Sequence, residues 1–267
     1  MPAVRRPDPT DGEVRLLPAG RPVVFLGPSL PVTRARLILD ADYRPPLRRG
    51  DLDAIAAPAW VGLVDGVLES DVRLPPGEAR HAAERGLRLF GAASIGAVLA
   101  ADPTIPGAVR GVGRVFRLLR RGRATADDVA LLYAAHDLRP LTLPVVDVLC
   151  WLEDGVAFGR IPPGDAAAAL ARFRALPITD RVPVAAARLL RCGSASVLAE
   201  GGLAITSAKA TDARVLLRVL RRLGGSPDGT EDEKERNRGA GLQPAPEMAR
   251  GDLSQRSVPA PPTLPRG

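Results

Sequence analysis

Leu87-Arg88-Leu89-Phe90-Gly91-Ala92-Ala93-Ser94-Ile95-Gly96-Ala97-Val98-Leu99-Ala100-Ala101 runs from a short apolar stretch, through small residues, into an alanine-rich helical pattern. That order predicts a strand, a tight turn and a helix. Gly91, Ala92, Ala93 and Gly96 keep the turn free of bulk, so a ligand or a second backbone can approach it closely. Ser94 falls where the helix begins. Its hydroxyl either caps unpaired N–H groups of the first turn or points outward as a chemical group. Ligands of open α/β sheets bind at the carboxyl ends of strands, which makes this turn the first candidate for a site.

Working outward, Pro22-Val23-Val24-Phe25-Leu26-Gly27 reads as a buried strand that leaves through the turn Pro28-Ser29-Leu30-Pro31. Val32 to Leu39 predicts a short amphipathic helix, Asp40 to Pro46 an extended stretch, and Arg49-Gly50-Asp51-Leu52 the start of another helix, capped by Asp51. Trp60-Val61-Gly62-Leu63-Val64-Asp65-Gly66 is a second strand that ends on a carboxylate. That Asp either contacts a ligand or forms a turn. A helix from Glu78 to Arg85 leads into the opening stretch. This alternation predicts an α/β fold, a Rossmann- or flavodoxin-like parallel sheet with covering helices and strands 22–27, 60–65 and 87–91 ending on one edge.

After Ala101 the pattern predicts a mostly helical C-terminal region. Helices are expected at 111–122, from a Thr125/Asp127/Asp128 cap to about Ala135, and at 144–155, 164–174, 180–191 and 207–223. The expected organisation is a mobile arm over 1–20, an α/β core over 21–160, a helical extension over 161–223 and a disordered tail over 224–267.

The net charge of +7 resembles a nucleic-acid signature, but nearly all of it is arginine, the lysines being Lys209 and Lys234. The arginines are spread along the chain without interleaved aromatics, so nucleic acid is not the expected partner. Cys150 and Cys192 form no CxxC pair, and His81 and His136 build no metal site. The expectation is no metal and no cofactor. The amino-terminal residues lack a signal-peptide core, and no apolar run is long enough for a membrane, which predicts a cytoplasmic protein.

Ala92-Ala93-Ser94-Ile95-Gly96 partly imitates the G-x-S-x-G nucleophile turn, with His136 as the base in the usual chain order. The competing reading is a helix cap or a small-ligand contact. Gly111-Val112-Gly113 is a fragment of a dinucleotide fingerprint, set aside because it follows no predicted strand. Cys150 lies on a predicted apolar helix face and reads as an inert thiol, whereas Cys192 reads as more exposed. The candidate ligand-binding residues are Gly27, Ser29, Asp65, Gly66, Gly91, Ser94 and Gly96, which converge on one crevice if the strand ends do.

Several words in this chain resemble the TfuA-like protein family. They are Val24-Phe25-Leu26-Gly27-Pro28-Ser29-Leu30, Asp40-Ala41-Asp42-Tyr43-Arg44-Pro45-Pro46 with Arg49-Gly50-Asp51, and Val61-Gly62-Leu63-Val64-Asp65-Gly66. Further on come Phe90-Gly91-Ala92-Ala93-Ser94-Ile95-Gly96-Ala97, Gly111-Val112-Gly113-Arg114-Val115-Phe116 and Asp127-Asp128-Val129. The resemblance covers roughly residues 22 to 160. The family is named for a protein of trifolitoxin production, and its members are often paired with YcaO-type enzymes. Those enzymes activate a peptide amide oxygen with ATP, and the pairing is associated with replacing that oxygen by sulfur. The resemblance therefore implies an accessory role in peptide thioamidation, as in bacteriocin-like ribosomal peptides. The implied partners are a YcaO-type protein and a precursor peptide or sulfur donor, with Tyr43, Arg44, Glu78, His81 and Arg114 as contact candidates. A stand-alone hydrolase using Ser94 and a non-catalytic ligand-binding module are the alternatives. The chain departs from the family where a His-Lys/Arg-Glu word is usual. Only Glu78 of Pro76-Gly77-Glu78 survives, with His81 one turn on, and Leu99 and Pro103 replace the usual arginine and glutamate.

Overall fold

The computed structural model describes residues 20–67, 73–191 and 205–223. Five short strands form one parallel sheet: β1 (Val23–Phe25), β2 (Asp42–Arg44), β3 (Ala59–Leu63), β4 (Leu87–Gly91) and β5 (Val109–Gly111). Their order is β2-β1-β3-β4-β5, the flavodoxin-like arrangement, so the direction of winding reverses between β1 and β3. The three strands expected from sequence run parallel and end on one edge. Two more were missed as strands. β2 lies in the stretch read only as extended. β5 holds an exposed arginine in a three-residue run, too short to show a period.

Because the sheet is covered on both faces, the alternation of side chains divides its apolar residues between two cores. Phe25, Leu63 and Leu89 face α2 (Pro76–Glu84) and α3 (Ile95–Ala101). Val24 and Phe90 face α1 (Val32–Arg36) and α8 (Ala208–Leu223). The approach of α8 depends on Gly62, where a Cβ would meet Leu220 Cδ1 at 2.9 Å and Leu216 Cδ2 at 3.0 Å. Leu216, Leu217 and Leu220 are thereby buried to 1% exposure or less. Each contributes about 1.5–3 kcal/mol relative to an exposed position.

Past the sheet come α4 (Gly113–Arg120), a 3-10 turn (Ala126–Val129), α5 (Val145–Ala157), α6 (Pro163–Arg174), a second 3-10 turn (Ile178–Asp180) and α7 (Pro183–Arg191). α5 and α8 also pack on each other, around Val146, Cys150 and Ala208. Three expectations are corrected. Arg49 to Ile55 forms successive turns, not a helix, because Asp51 accepts the Arg48 N–H (2.7 Å) and closes a local loop. The Thr125/Asp128 capping box is present, but it starts a single 3-10 turn. Residues 132–141 then fold back through a Tyr133–Pro140 bridge. Gly111-Val112-Gly113 does follow a strand, since Gly111 closes β5, but a Cβ on Gly113 would lie 2.2 Å from the Asp212 carboxyl carbon. That side chain occupies the place a phosphate would need. The arm expected over 1–20, apart from Gly20, and the tail over 224–267 lie outside the described residues, as does Cys192.

The small residues of the β4–α3 turn are required by backbone contact. A Cβ on Gly96 would stand 1.7 Å from the Leu63 carbonyl oxygen, and one on Gly91 would stand 2.0 Å from that of Gly96. Neither neighbour can rotate away. Gly96→Ala is therefore expected to cost about 1–3 kcal/mol through overpacking, lowering the thermal midpoint by several degrees. At Gly77, near the start of α2, an added Cβ would have nothing within 4 Å. Gly77→Ala, measured in the same melts, is expected to be neutral or stabilising by up to about 1 kcal/mol.

Candidate functional site

The carboxyl ends of β1 and β3 flank the winding reversal, and there the chain buries the side chains of Ser29 and Asp65. Asp65 is 2% exposed and stands two residues past β3. Its Oδ2 accepts the N–H groups of Gly27 (2.9 Å) and Ser29 (3.0 Å), and its Oδ1 accepts the Ser29 hydroxyl at 2.6 Å. One carboxylate thus fixes the turn that leaves β1. Such charge-assisted bonds are about twice as strong as neutral ones. Ser29 gives its proton to Asp65, so its oxygen has only lone pairs to offer any further group.

Ser94 is also buried, at 5% exposure. Among the described residues its hydroxyl makes no hydrogen bond, and it does not cap α3 by its side chain. Its backbone N–H bonds to the Ala92 carbonyl at 2.8 Å, with Ala93 between them at φ 66°. This is a γ-turn with a left-handed central residue, a strained conformation for alanine. The strain therefore falls one residue before the serine. His136, the expected base, sits in the 132–141 turn with its side chain 80% exposed beside Asp137. Ser94 and His136 are accordingly not brought together.

The glycines of the expected crevice are filled by protein. Gly27 lies against the Pro46 ring, with 2.6 Å from a built Cβ to Cγ, and Gly66 lies against Ile95 at 2.4 Å. Leu47 pairs with Gly66 and bonds to the Asp65 carbonyl, extending the sheet past β3. Gly27, Gly66, Gly91 and Gly96 thus admit neighbouring segments of the same chain. The polar groups at this edge are Ser29, Asp65 and Ser94.

The contact candidates hold the fold's own surface. Glu78 accepts the Gly50 N–H through both carboxylate oxygens (2.9 and 3.1 Å), and burial pushes its carboxyl up. Tyr43 donates its hydroxyl to the Leu39 carbonyl (2.9 Å) and burial pushes it up to about 12. Arg44 pairs with Asp42 at 2.9 Å, and His81 is exposed near Glu84. Arg114 joins α4 to α5 through Asp154 (2.7 Å), Glu153 (2.8 Å) and the Cys150 carbonyl (3.2 Å). Cys150 is 3% exposed, and burial pushes its thiol up to about 12.

Two buried carboxylates that sequence reading missed work as Asp65 does. Asp212 of α8 accepts the N–H groups of Arg114 (2.9 Å) and Val115 (2.7 Å), and so caps α4. Asp147 of α5 accepts the Lys209 N–H (3.2 Å) at the start of α8. Burial pushes both carboxyls up and pushes the amine of fully enclosed Lys209 down. The available signal was compositional. A chain that uses arginine almost throughout places a lysine at 209, three residues from an aspartate.

This arrangement defines a doubly wound α/β protein with its polar cluster at the topological switch point. Residues 65–182 match the model of the family described as TfuA-like protein, so over this region the chain is similar to that family. The match begins at Asp65 and runs through α6, whereas the expected coverage was roughly 22 to 160. No curated protein matches the chain. Among the described residues, no helix is long and apolar enough to cross a membrane.

Two measurements follow from the cluster. Asp65→Asn loses the charge behind three hydrogen bonds and is expected to cost about 1.5–3 kcal/mol in denaturant unfolding, against about 1 kcal/mol for Ser29→Ala. Equal, small losses would mean that the carboxylate does not organise the turn. In a Cys192→Ser background, native protein treated with iodoacetamide at pH 8 is expected to carry no adduct on Cys150 by mass spectrometry. Rapid labelling would make that thiol a credible sulfur carrier.

Proposed function

We propose that this protein is an accessory partner of a YcaO-type ATP-dependent enzyme in peptide backbone thioamidation, where it recruits or delivers sulfur. The observation that carries the reading is the TfuA-like match over residues 65–182. The geometry supports a role without covalent chemistry of its own. Ser94 has no histidine beside it, and the Cys150 thiol is enclosed. In the proposed division of labour the YcaO-type partner activates the amide oxygen with ATP, and this chain supplies the sulfur nucleophile or the surface that brings it. The groups available to hold a small polar sulfur species at the sheet edge are the Ser29 hydroxyl, fixed by Asp65, and the Ser94 hydroxyl. A ligand held by hydroxyls alone gains on the order of 1 kcal/mol per bond.

The test is the partnered reaction, with precursor peptide, ATP, sulfide and the cognate YcaO-type enzyme, and with oxygen-for-sulfur exchange read by mass spectrometry. The chain alone is expected to give no thioamide, and its addition is expected to raise the yield over the partner alone. Equal yields with and without it remove the accessory reading. Ser94→Ala is expected to weaken the stimulation about fivefold, the loss of one hydrogen bond. Ala93→Leu is expected to do more harm, because residue 93 is fully buried at a left-handed position. The reverse order, with fluorophosphonate labelling of Ser94, assigns the chain to the serine hydrolases instead.

A further inference from the structure

Between β2 and β3 the chain crosses the edge of the sheet beside the polar cluster. Pro46 and Leu47 are buried there, Arg48 to Gly50 are exposed, and Leu52 and Ile55 join the core that α2 covers. The buried pair is seated on the backbone around Asp65. A Cβ on Gly27 would meet the Pro46 ring at 2.6 Å and the Asp65 Cβ at 3.3 Å. Leu47 donates its N–H to the Asp65 carbonyl at 2.9 Å and accepts the Val67 N–H at 3.0 Å. Ser29 and Asp65, beside this crossing, are 6% and 2% exposed. The exposed stretch is held more lightly. Among the described residues, its one hydrogen bond to another element is the Gly50 N–H, given to both carboxylate oxygens of Glu78 at 2.9 and 3.1 Å. Its other bonds are local, as where Asp51 accepts the Arg48 N–H. Past Gly50 a second fastening takes over, because Arg85 at the other end of α2 donates to the Leu52 carbonyl at 2.7 Å.

We propose that residues 46–50 are a strap closed over the Ser29–Asp65 pair, and that Glu78 is the positioning residue that latches it. With the Gly50 bond made, Pro46 and Leu47 stay seated on Gly27 and Gly66. With it broken, the strap lifts, and a small polar molecule gains the Ser29 hydroxyl. A segment with an exposed backbone and few apolar contacts opens more readily than the core it borders. Opening stops at Leu52, where Arg85 and the burial of Leu52 and Ile55 anchor the chain. Such a device controls how long a small molecule is kept, not what happens to it. The retention role rests on the accessory reading above, but the latch does not.

Amide hydrogen exchange by NMR in the full chain reads the strap directly, since Leu47 donates from it and Val67 donates to it. In Glu78→Ala, exchange at Gly50, Leu47 and Val67 is expected to rise roughly tenfold or more, while Val61 and Phe90 inside the sheet keep their protection. Glu78→Gln retains an acceptor oxygen and is expected to keep the wild-type rates, as is Glu84→Ala, an exposed change on the same helix. Should Glu78→Ala not fold, Glu78→Asp, one methylene too short, gives the same reading. In the partnered reaction, Glu78→Ala is expected to need about tenfold more sulfide for half-maximal stimulation and to reach the wild-type maximum, with Glu78→Gln unchanged. Unchanged exchange at Leu47 and Val67, or an equal rise at Val61 and Phe90, overturns the latch. A lowered maximum at an unchanged sulfide requirement overturns the retention role. If the wild type fails to stimulate the partner at any sulfide concentration while the exchange result stands, the accessory reading falls and the latch remains.

Discussion

A backbone N–H taken out of water has to find an acceptor, and here three buried aspartates supply it across element boundaries. Asp65 receives the loop after β1, Asp212 the start of α4, and Asp147 the start of α8. In each case the carboxylate and the amides it serves come from segments far apart in sequence. The bonds therefore act as fasteners between layers, not as local turn formers. The fold around them follows the same logic. α8 reaches the sheet over Gly62, α3 reaches it over Gly96, and polar fasteners sit where these close approaches leave backbone groups with no solvent.

The strands were legible because both faces of the sheet are covered. Val23-Val24-Phe25 and Leu87 to Gly91 are near-continuous apolar runs bounded by turn residues, and such runs have few other uses. Asp65 was legible too, as a carboxylate at a strand end. β5 was hidden by Arg110, whose guanidinium lies over the Phe90 ring, so a charged residue occupies a half-covered sheet position. The glycines of the central turn misled in an instructive way. Absence of a side chain marks close approach, and composition does not say whether a ligand or the chain itself does the approaching. Pro46, Ile95 and the Leu63 carbonyl fill those positions.

Lys209 and Asp147 were illegible for a different reason. They meet where α8, α5 and the 126–129 turn come together, and no window along the chain contains all three. The same holds for the serine and histidine weighed as a dyad. Chain order made them plausible partners, and burial separates them, one enclosed at a sheet edge and the other on an exposed turn. For a chain proposed to work beside another enzyme, the distinction matters. A polar cluster built to hold a loop in one shape serves recognition as directly as it serves chemistry.

The position of α8 has a consequence for how the chain is made. The helix that covers Val24, Gly62 and Phe90 is the final described element, yet the strands it covers are among the first. During synthesis that half of the sheet emerges long before its lid, with an apolar face open to water and to other chains. A fold dominated by such distant pairings matures slowly, and its early life is the period when self-association competes with completion. Growth temperature and the pace of translation thus bear on the yield of this protein in a way that its finished stability would not reveal.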